Sequence, residues 1–132
     1  MTHSDPISDL LTRIRNACKA GHRYVDLAWS TVLEDIARVL KDENYVEHIL
    51  VKKDTPLPKM RVFLKYGPNR TSVIKELKRV SKPGRRYYVG CKKIPRVRSG
   101  LGLTVVSTSK GMMSGQKAID QNVGGEVMCY VW

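Results

Sequence analysis

The sequence predicts an α+β protein made of two small packed domains, an N-terminal helix-strand-helix-hairpin unit and a mostly β C-terminal unit with one short helix. Three observations predict it. Apolar residues recur at helical spacing in two early stretches, period-two alternation and β-branched runs dominate later, and a breaker cluster, Gly67-Pro-Asn-Arg70, falls where the charge changes abruptly. Residues 1–66 carry 11 Lys or Arg and 9 Asp or Glu, whereas residues 67–132 carry 13 and 3. The expected domains are therefore 1–66 and 67–132.

The first helix is expected after Ser4 or Asp5, either of which can cap it, with Pro6 in its first turn. Ile7, Leu10, Leu11, Ile14 and Ala17 form its buried face until Gly21 ends it. Thr12, Arg15, Asn16 and Lys19 share another face as a polar-basic stripe. Arg23 to Ala28 alternates as a short strand, and Ser30 or Thr31, with Glu34 following, signals a second helix. That helix has the stripe Leu33, Ile36, Ala37 and Leu40 and a left-handed stop at Asn44. Tyr45 to Lys53, the turn Asp54 to Pro58 and Lys59 to Tyr66 read as a β-hairpin whose inner positions are Met60, Val62 and Leu64.

Beyond Arg70 the pattern of Ser72 to Ser81 suits either a helix turn or a strand. Lys82-Pro-Gly-Arg85 is a turn, and Arg86 to Val89 continues as strand. Ile94 to Gly100 is an irregular connector. It leads into Gly102 to Ser107, an apolar strand that ends abruptly in the hydroxyls Ser107, Thr108 and Ser109, followed by Lys110 and Gly111. Met112 to Gln121 is expected as a short helix begun by Ser114 and weakened by Gly115. Gly124-Gly125 is expected to make a tight turn. The last strand, Glu126 to Trp132, alternates Val127, Cys129 and Val131 against Glu126, Met128 and Tyr130.

The net charge of +12, concentrated in the second half, calls for a polyanion as partner. Between Arg70 and Arg98 the only acid is Glu76. A membrane surface is excluded because neither early helix sets a basic face against Trp or Phe, and no apolar run approaches the ~18 residues of a membrane span. No leader pattern precedes Pro6, so the expected location is the cytoplasm, where Cys18, Cys91 and Cys129 remain reduced thiols and Cys129 is core.

Catalysis is not expected. Ser109-Lys110-Gly111 lacks the spacing of a phosphate loop, His3, His22 and His48 are scattered, and the basic half holds no acidic pair for acid-base work. No metal or cofactor site is expected either. Between the nucleic acids, no stretch has the Arg/Asn pairs of a DNA recognition helix. Hydroxyls, glycines and a Tyr beside Arg instead suit RNA, whose shallow minor groove shows 2′-hydroxyls and whose unpaired bases stack on aromatic rings.

Four blocks in order resemble ribosomal protein eight of the bacterial small subunit: Ile7-Ser-Asp-Leu-Leu-Thr-Arg-Ile-Arg-Asn-Ala17, Ser81-Lys-Pro-Gly-Arg-Arg-Tyr-Tyr88, Ser107-Thr-Ser-Lys-Gly111 and Val123-Gly-Gly-Glu-Val-Met-Cys-Tyr-Val-Trp132. The resemblance runs nearly end to end. It implies a structural, non-catalytic constituent of the small ribosomal subunit that binds the central domain of small-subunit ribosomal RNA and organises an irregular helical segment during assembly. Neighbouring small-subunit proteins are implied partners, as is a ribosomal-protein messenger RNA that the family can bind to repress its own operon. A stand-alone RNA-binding regulator is the alternative.

The resemblance also implies a strand within Ser72 to Ser81, and it marks residues 67–132 as the RNA-binding domain. The implied RNA-binding residues are Ser107, Thr108, Ser109, Lys110 and Gly111, with Gly124, Gly125 and Glu126 beside them, and Tyr88 under an extruded base. Lys82, Arg85 and Arg86 would neutralise phosphates, and Thr12, Arg15 and Asn16 would add contacts from the first helix. Glu126 would accept from the RNA, or orient Ser109 and Lys110. Two positions depart from the family: Asn44 stands where Gly is usual, and Ile119 where an Arg follows Ala118.

Overall fold

A computed structural model describes residues 5–132, which divide into two compact units: Pro6–Lys75, and Glu76–Trp132 together with Asp5. The first unit opens with α1, Pro6–Ala20, whose buried face is Ile7, Leu10, Leu11, Ile14 and Ala17. Gly21 stops it at φ 74°, a left-handed conformation that a Cβ disfavours. Strand β1 is Tyr24–Ala28 and helix α2 is Thr31–Asp42. Of the two candidate caps for α2, Ser30 serves: its hydroxyl accepts from the Leu33 N–H at 3.2 Å. Asn44, at φ 67°, turns the chain out of α2.

Strands β2 (Val46–Lys52) and β3 (Lys59–Leu64) complete an antiparallel sheet of order β1-β3-β2. Met60, Val62 and Leu64 of the central strand point inward with Leu27, Val46 and Ile49, and α1 and α2 supply the other half of this core. The Asp5 carboxylate, directly before α1, accepts from Arg79 of the second unit's sheet at 3.2 and 3.4 Å. Ser4, the other expected cap, and His3 lie outside the described residues.

Gly67–Arg70 form a turn inside the first unit. The Gly67 N–H donates to the Thr71 carbonyl at 2.7 Å and the Val73 N–H to that of Lys65 at 3.1 Å, so the chain leaves the unit only after Lys75.

The second unit comprises β4 (Leu77–Arg79), β5 (Tyr88–Val89), β6 (Leu103–Thr108), β7 (Gly111–Ser114), α3 (Gly115–Asp120) and β8 (Gly125–Val131). Its sheet runs β4-β8-β6-β7, and β5 also pairs with β8, all antiparallel. Single 3-10 turns at Cys91–Lys93 and Val97–Gly100 fill the connector. Ile94, Val106, Met113 and Ala118 form a core cluster with Val89, Cys91, Ile119 and Val123 packed against it. Ile119, the departure from the family's Arg, is thus a packing residue.

Several sequence expectations are corrected here. Within 72–81 only Leu77–Arg79 pair as strand, and Arg86 and Tyr87 precede β5, Tyr87 reaching the sheet only by accepting from the Val127 N–H at 3.0 Å. Met112 and Met113 belong to β7 because they pair with Ser107 and Val106, so the helix shortens to Gly115–Asp120, with the Ser114 hydroxyl accepting from Lys117 N–H at 3.2 Å. A Cβ on Gly115 would sit 2.9 Å from Ile94 Cγ2, which explains a glycine that propensity alone disfavours. The last strand does not alternate strictly. A bulge opposite Val105 and Val106 leaves Met128 without a pairing partner on β6, and Val127, Met128 and Cys129 are buried in succession. Gly124 and Gly125 make no left-handed turn, since the positive φ belongs to Asn122 at 58°.

Burial pushes the Cys129 thiol up to about 12, against the opposing nearby charge of Arg79. The folded state therefore holds this proton where the unfolded chain, with an ordinary thiol pKa of about 8.5, has released it. Stability from this group is complete below the unfolded value and is lost as pH rises from about 9 towards 12. The expected result is a falling urea midpoint over that window, with half-buried Cys91 reacting with a thiol reagent directly and Cys129 only on unfolding.

Candidate nucleic-acid interface

The expected tip exists because β8 begins between the end of β6 and β5. Ser107 faces Glu126, which on its other side faces Tyr88; the next rung is Thr108, Gly125 and Val89. Directly opposed residues of antiparallel strands share a face, so a hydroxyl, a carboxylate and a phenol stand in one row about 4.8 Å apart. Val89 points the other way, into the core cluster. Tyr88 is 67% exposed, its ring open to solvent.

Gly124 and Gly125 make this row close. A Cβ on Gly125 would lie 2.1 Å from the Ser107 carbonyl oxygen, and one on Gly124 would lie 2.5 Å from that of Val89. Their small size serves strand packing within the unit. Gly111 differs: at φ 114° it needs glycine for its backbone, and nothing of the chain lies within 4 Å of where its Cβ would be.

The turn between β6 and β7 is locked by Thr108, whose hydroxyl donates to the Gly111 carbonyl at 2.8 Å and accepts from the Lys110 N–H at 3.1 Å. The hydroxyls of Ser107 and Ser109 have no hydrogen-bond partner among the described residues, and Ser109 and Lys110 are exposed. Two donor-acceptor groups and an ammonium are thus presented on a rigid turn.

Glu126 is held from behind. The Ser81 hydroxyl donates to its carboxylate, Arg86 Nη1 donates to the same oxygen at 3.0 Å, and Ser81 Oγ accepts from the Tyr87 N–H at 3.1 Å. The partners expected from the sequence, Ser109 and Lys110, are not the ones it takes. Arg86 consequently shares its charge with Glu126, whereas Lys82 and Arg85, at the ends of a turn closed by mutual backbone bonds of 3.1 and 2.9 Å, are exposed and meet no carboxylate among the described residues.

Two features escaped the sequence reading. Ser81 is fully buried, yet a serine before a Pro-Gly turn reads as a surface residue. Lys92 and Lys93 lie on the 3-10 turn packed against Gly124, whose Cβ would be 2.8 Å from Gly90 Cα; their signal, an adjacent basic pair, was in the sequence. Thr12 and Asn16 are exposed and Arg15 half-exposed on α1, in the other unit from the row. Among the described residues no group of three or more His, Cys, Asp or Glu could hold a metal ion, and no helix is long and apolar enough to cross a membrane.

The fold and this rim define a small basic α+β protein of two units, one of which presents hydroxyls and cations from the end of an antiparallel sheet. Comparison with known proteins gives it a family. The model of ribosomal protein S8 matches residues 5–132, and the chain belongs to that family. It is 53% identical to the small ribosomal subunit protein uS8 of Chlamydia trachomatis serovar D, over 98% of this chain and 97% of the relative. It is 49% identical to that of Protochlamydia amoebophila and 50% to that of Roseiflexus castenholzii, each over 100% of both chains.

Proposed function

We propose that the protein is a non-catalytic constituent of the small ribosomal subunit, located with the ribosome in the cytoplasm, and a primary binder of the central domain of small-subunit ribosomal RNA. The observation that carries this reading is the row Ser107, Glu126 and Tyr88 beside the unpartnered hydroxyl of Ser109. Ser107 and Ser109 can each donate to and accept from 2′-hydroxyls and base edges in a shallow minor groove, and Tyr88 offers a face to an extruded base. Lys82, Arg85 and Lys110 neutralise phosphates in the surrounding backbone. Arg86 and Glu126 act as a pair, fixing the row while leaving the second carboxylate oxygen to accept from the RNA.

Recognition in this account belongs to the C-terminal half, and Thr12, Arg15 and Asn16 add positioning contacts from the N-terminal domain. By holding an irregular helical segment in one conformation, the protein helps the surrounding RNA and neighbouring small-subunit proteins assemble. The same surface serves a ribosomal-protein messenger that presents the same RNA shape, which gives translational repression of its own operon. The relatives named as small-subunit proteins support the ribosomal placement.

Co-sedimentation tests the proposal. A ribosomal constituent remains with the small subunit through a high-salt wash at about one copy per particle, while a stand-alone regulator is washed off. Release of most of the protein by the wash would favour the regulator.

A further inference from the structure

Five of the first unit's six arginines can be sorted by whether they meet a carboxylate. Arg13, Arg38 and Arg61 each meet a carboxylate, those of Asp9, Glu34 and Asp26, at 2.9, 2.5 and 2.7 Å. Arg23 and Arg70 meet none among the described residues, and both line one cleft of about 420 Å³ with Ala20, Gly21 and Tyr66. Two arginines without a carboxylate partner at the edge of one concavity give it a positive potential that attracts an anion.

The cleft is built rather than incidental. Tyr66 forms a fixed wall because its hydroxyl donates to the His22 carbonyl. Asn69 and Arg70 are both left-handed, at φ 61° and 57°, a conformation that non-glycine residues adopt at a cost and that concentrates at binding sites. The turn carrying them is closed by Gly67 N–H to Thr71 O at 2.7 Å and Thr71 N–H to Pro68 O at 3.3 Å. Gly21, with nothing within 4 Å of its missing Cβ, leaves that side open.

We propose that this cleft holds an unpaired nucleotide of ribosomal RNA, a second RNA contact in a different unit from the hydroxyl tip. The guanidinium groups of Arg23 and Arg70 bind its phosphate and Tyr66 lies against its base. The volume falls within the range of about 300–1,000 Å³ usual for small-molecule sites. An acidic protein segment would match the charge but would leave the aromatic wall unused, whereas a nucleotide has both a phosphate and a base to offer, so RNA is the better fit. The inference rests on the RNA-binding function proposed above.

The test uses the full chain carrying Arg23→Gln and Arg70→Asn. Glutamine keeps much of the stem, and asparagine tolerates the left-handed backbone, so charge is what changes. Affinity for a transcript of small-subunit ribosomal RNA should fall about tenfold, and the log-log salt slope should shrink by about 0.7–0.9, the contribution of the one phosphate that the two arginines share. The melting temperature should stay unchanged. If the unsubstituted chain failed to prefer the transcript over a scrambled RNA, the RNA-binding reading itself would fail. If that preference held and the double variant kept both affinity and slope, or lost affinity together with melting temperature, the cleft would not be an RNA site. A photo-crosslinking side chain at position 23 should join to RNA in reconstituted subunits, and a crosslink to a neighbouring protein instead would overturn the proposal.

Discussion

Replacing Gly125 with alanine is expected to destabilise the second unit by about 3 kcal/mol and to lower RNA affinity at least about a hundredfold. The added Cβ would stand 2.1 Å from the Ser107 carbonyl oxygen, 2.9 Å from its carbon and 3.1 Å from Thr108 Cα. These are backbone atoms of a paired strand. They cannot turn aside as a side chain would, so β6 and β8 must separate where Ser107 faces Glu126 and Thr108 faces Gly125. Overpacking of this kind usually costs about 1–3 kcal/mol, and the rigidity of a three-strand rung puts this site at the upper end. Urea unfolding and filter binding measure the two effects. A variant with the parent's midpoint and affinity would show that the row tolerates a spacing this structure forbids.

The second large effect is expected from Ser81→Ala. Its hydroxyl is fully buried and serves two partners, donating to Glu126 and accepting from the Tyr87 N–H at 3.1 Å. Alanine leaves both without it, a loss of about 1–3 kcal/mol for buried polar groups left unpaired. Arg86 does not substitute. Its side chain is 47% exposed, and an ion pair at that exposure contributes about 1 kcal/mol or less after solvent screening. With the anchor gone, the segment before β5 loosens and Tyr88 loses its fixed place in the row, so RNA affinity should fall about tenfold alongside the urea midpoint. An unchanged midpoint would mean that the Ser81 hydroxyl does not hold this corner.

Much of the fold was legible in the sequence because it is set by local rules. The faces of α1 and α2, the stop at Gly21, the left-handed Asn44 and the inward Met60, Val62 and Leu64 all follow from periodicity and backbone preference. What escaped was set at long range. Met112 and Met113 read equally well as a helix start, and only pairing with Ser107 and Val106 makes them strand. The bulge at Met128 depends on the spacing of β6 against β8, which no local pattern encodes.

The same division holds for the candidate site. Ser107 to Gly111 stood out as hydroxyls at the end of an apolar strand, and the resemblance brought Tyr88 and Glu126 to it. That the three residues Ser107, Glu126 and Tyr88 form one row required the strand order. Gly124 and Gly125 suggested a turn, but their missing side chains accommodate neighbouring strands. Ser81 gave no signal because burial, not residue type, makes it important.

The central claim is that the tip specifies an RNA shape while the surrounding cations merely attract. It is tested most directly by filter binding of Ser109→Ala and Lys82→Gln to cognate and scrambled RNA at one salt concentration. Ser109 has an exposed hydroxyl with no partner among the described residues, so its loss should cost about 1–3 kcal/mol on cognate RNA and almost nothing on scrambled RNA. Lys82, acting on any phosphate in reach, should weaken both. If Ser109→Ala weakened the two RNAs equally, the hydroxyl tip would be a nonspecific surface and the account would be contradicted.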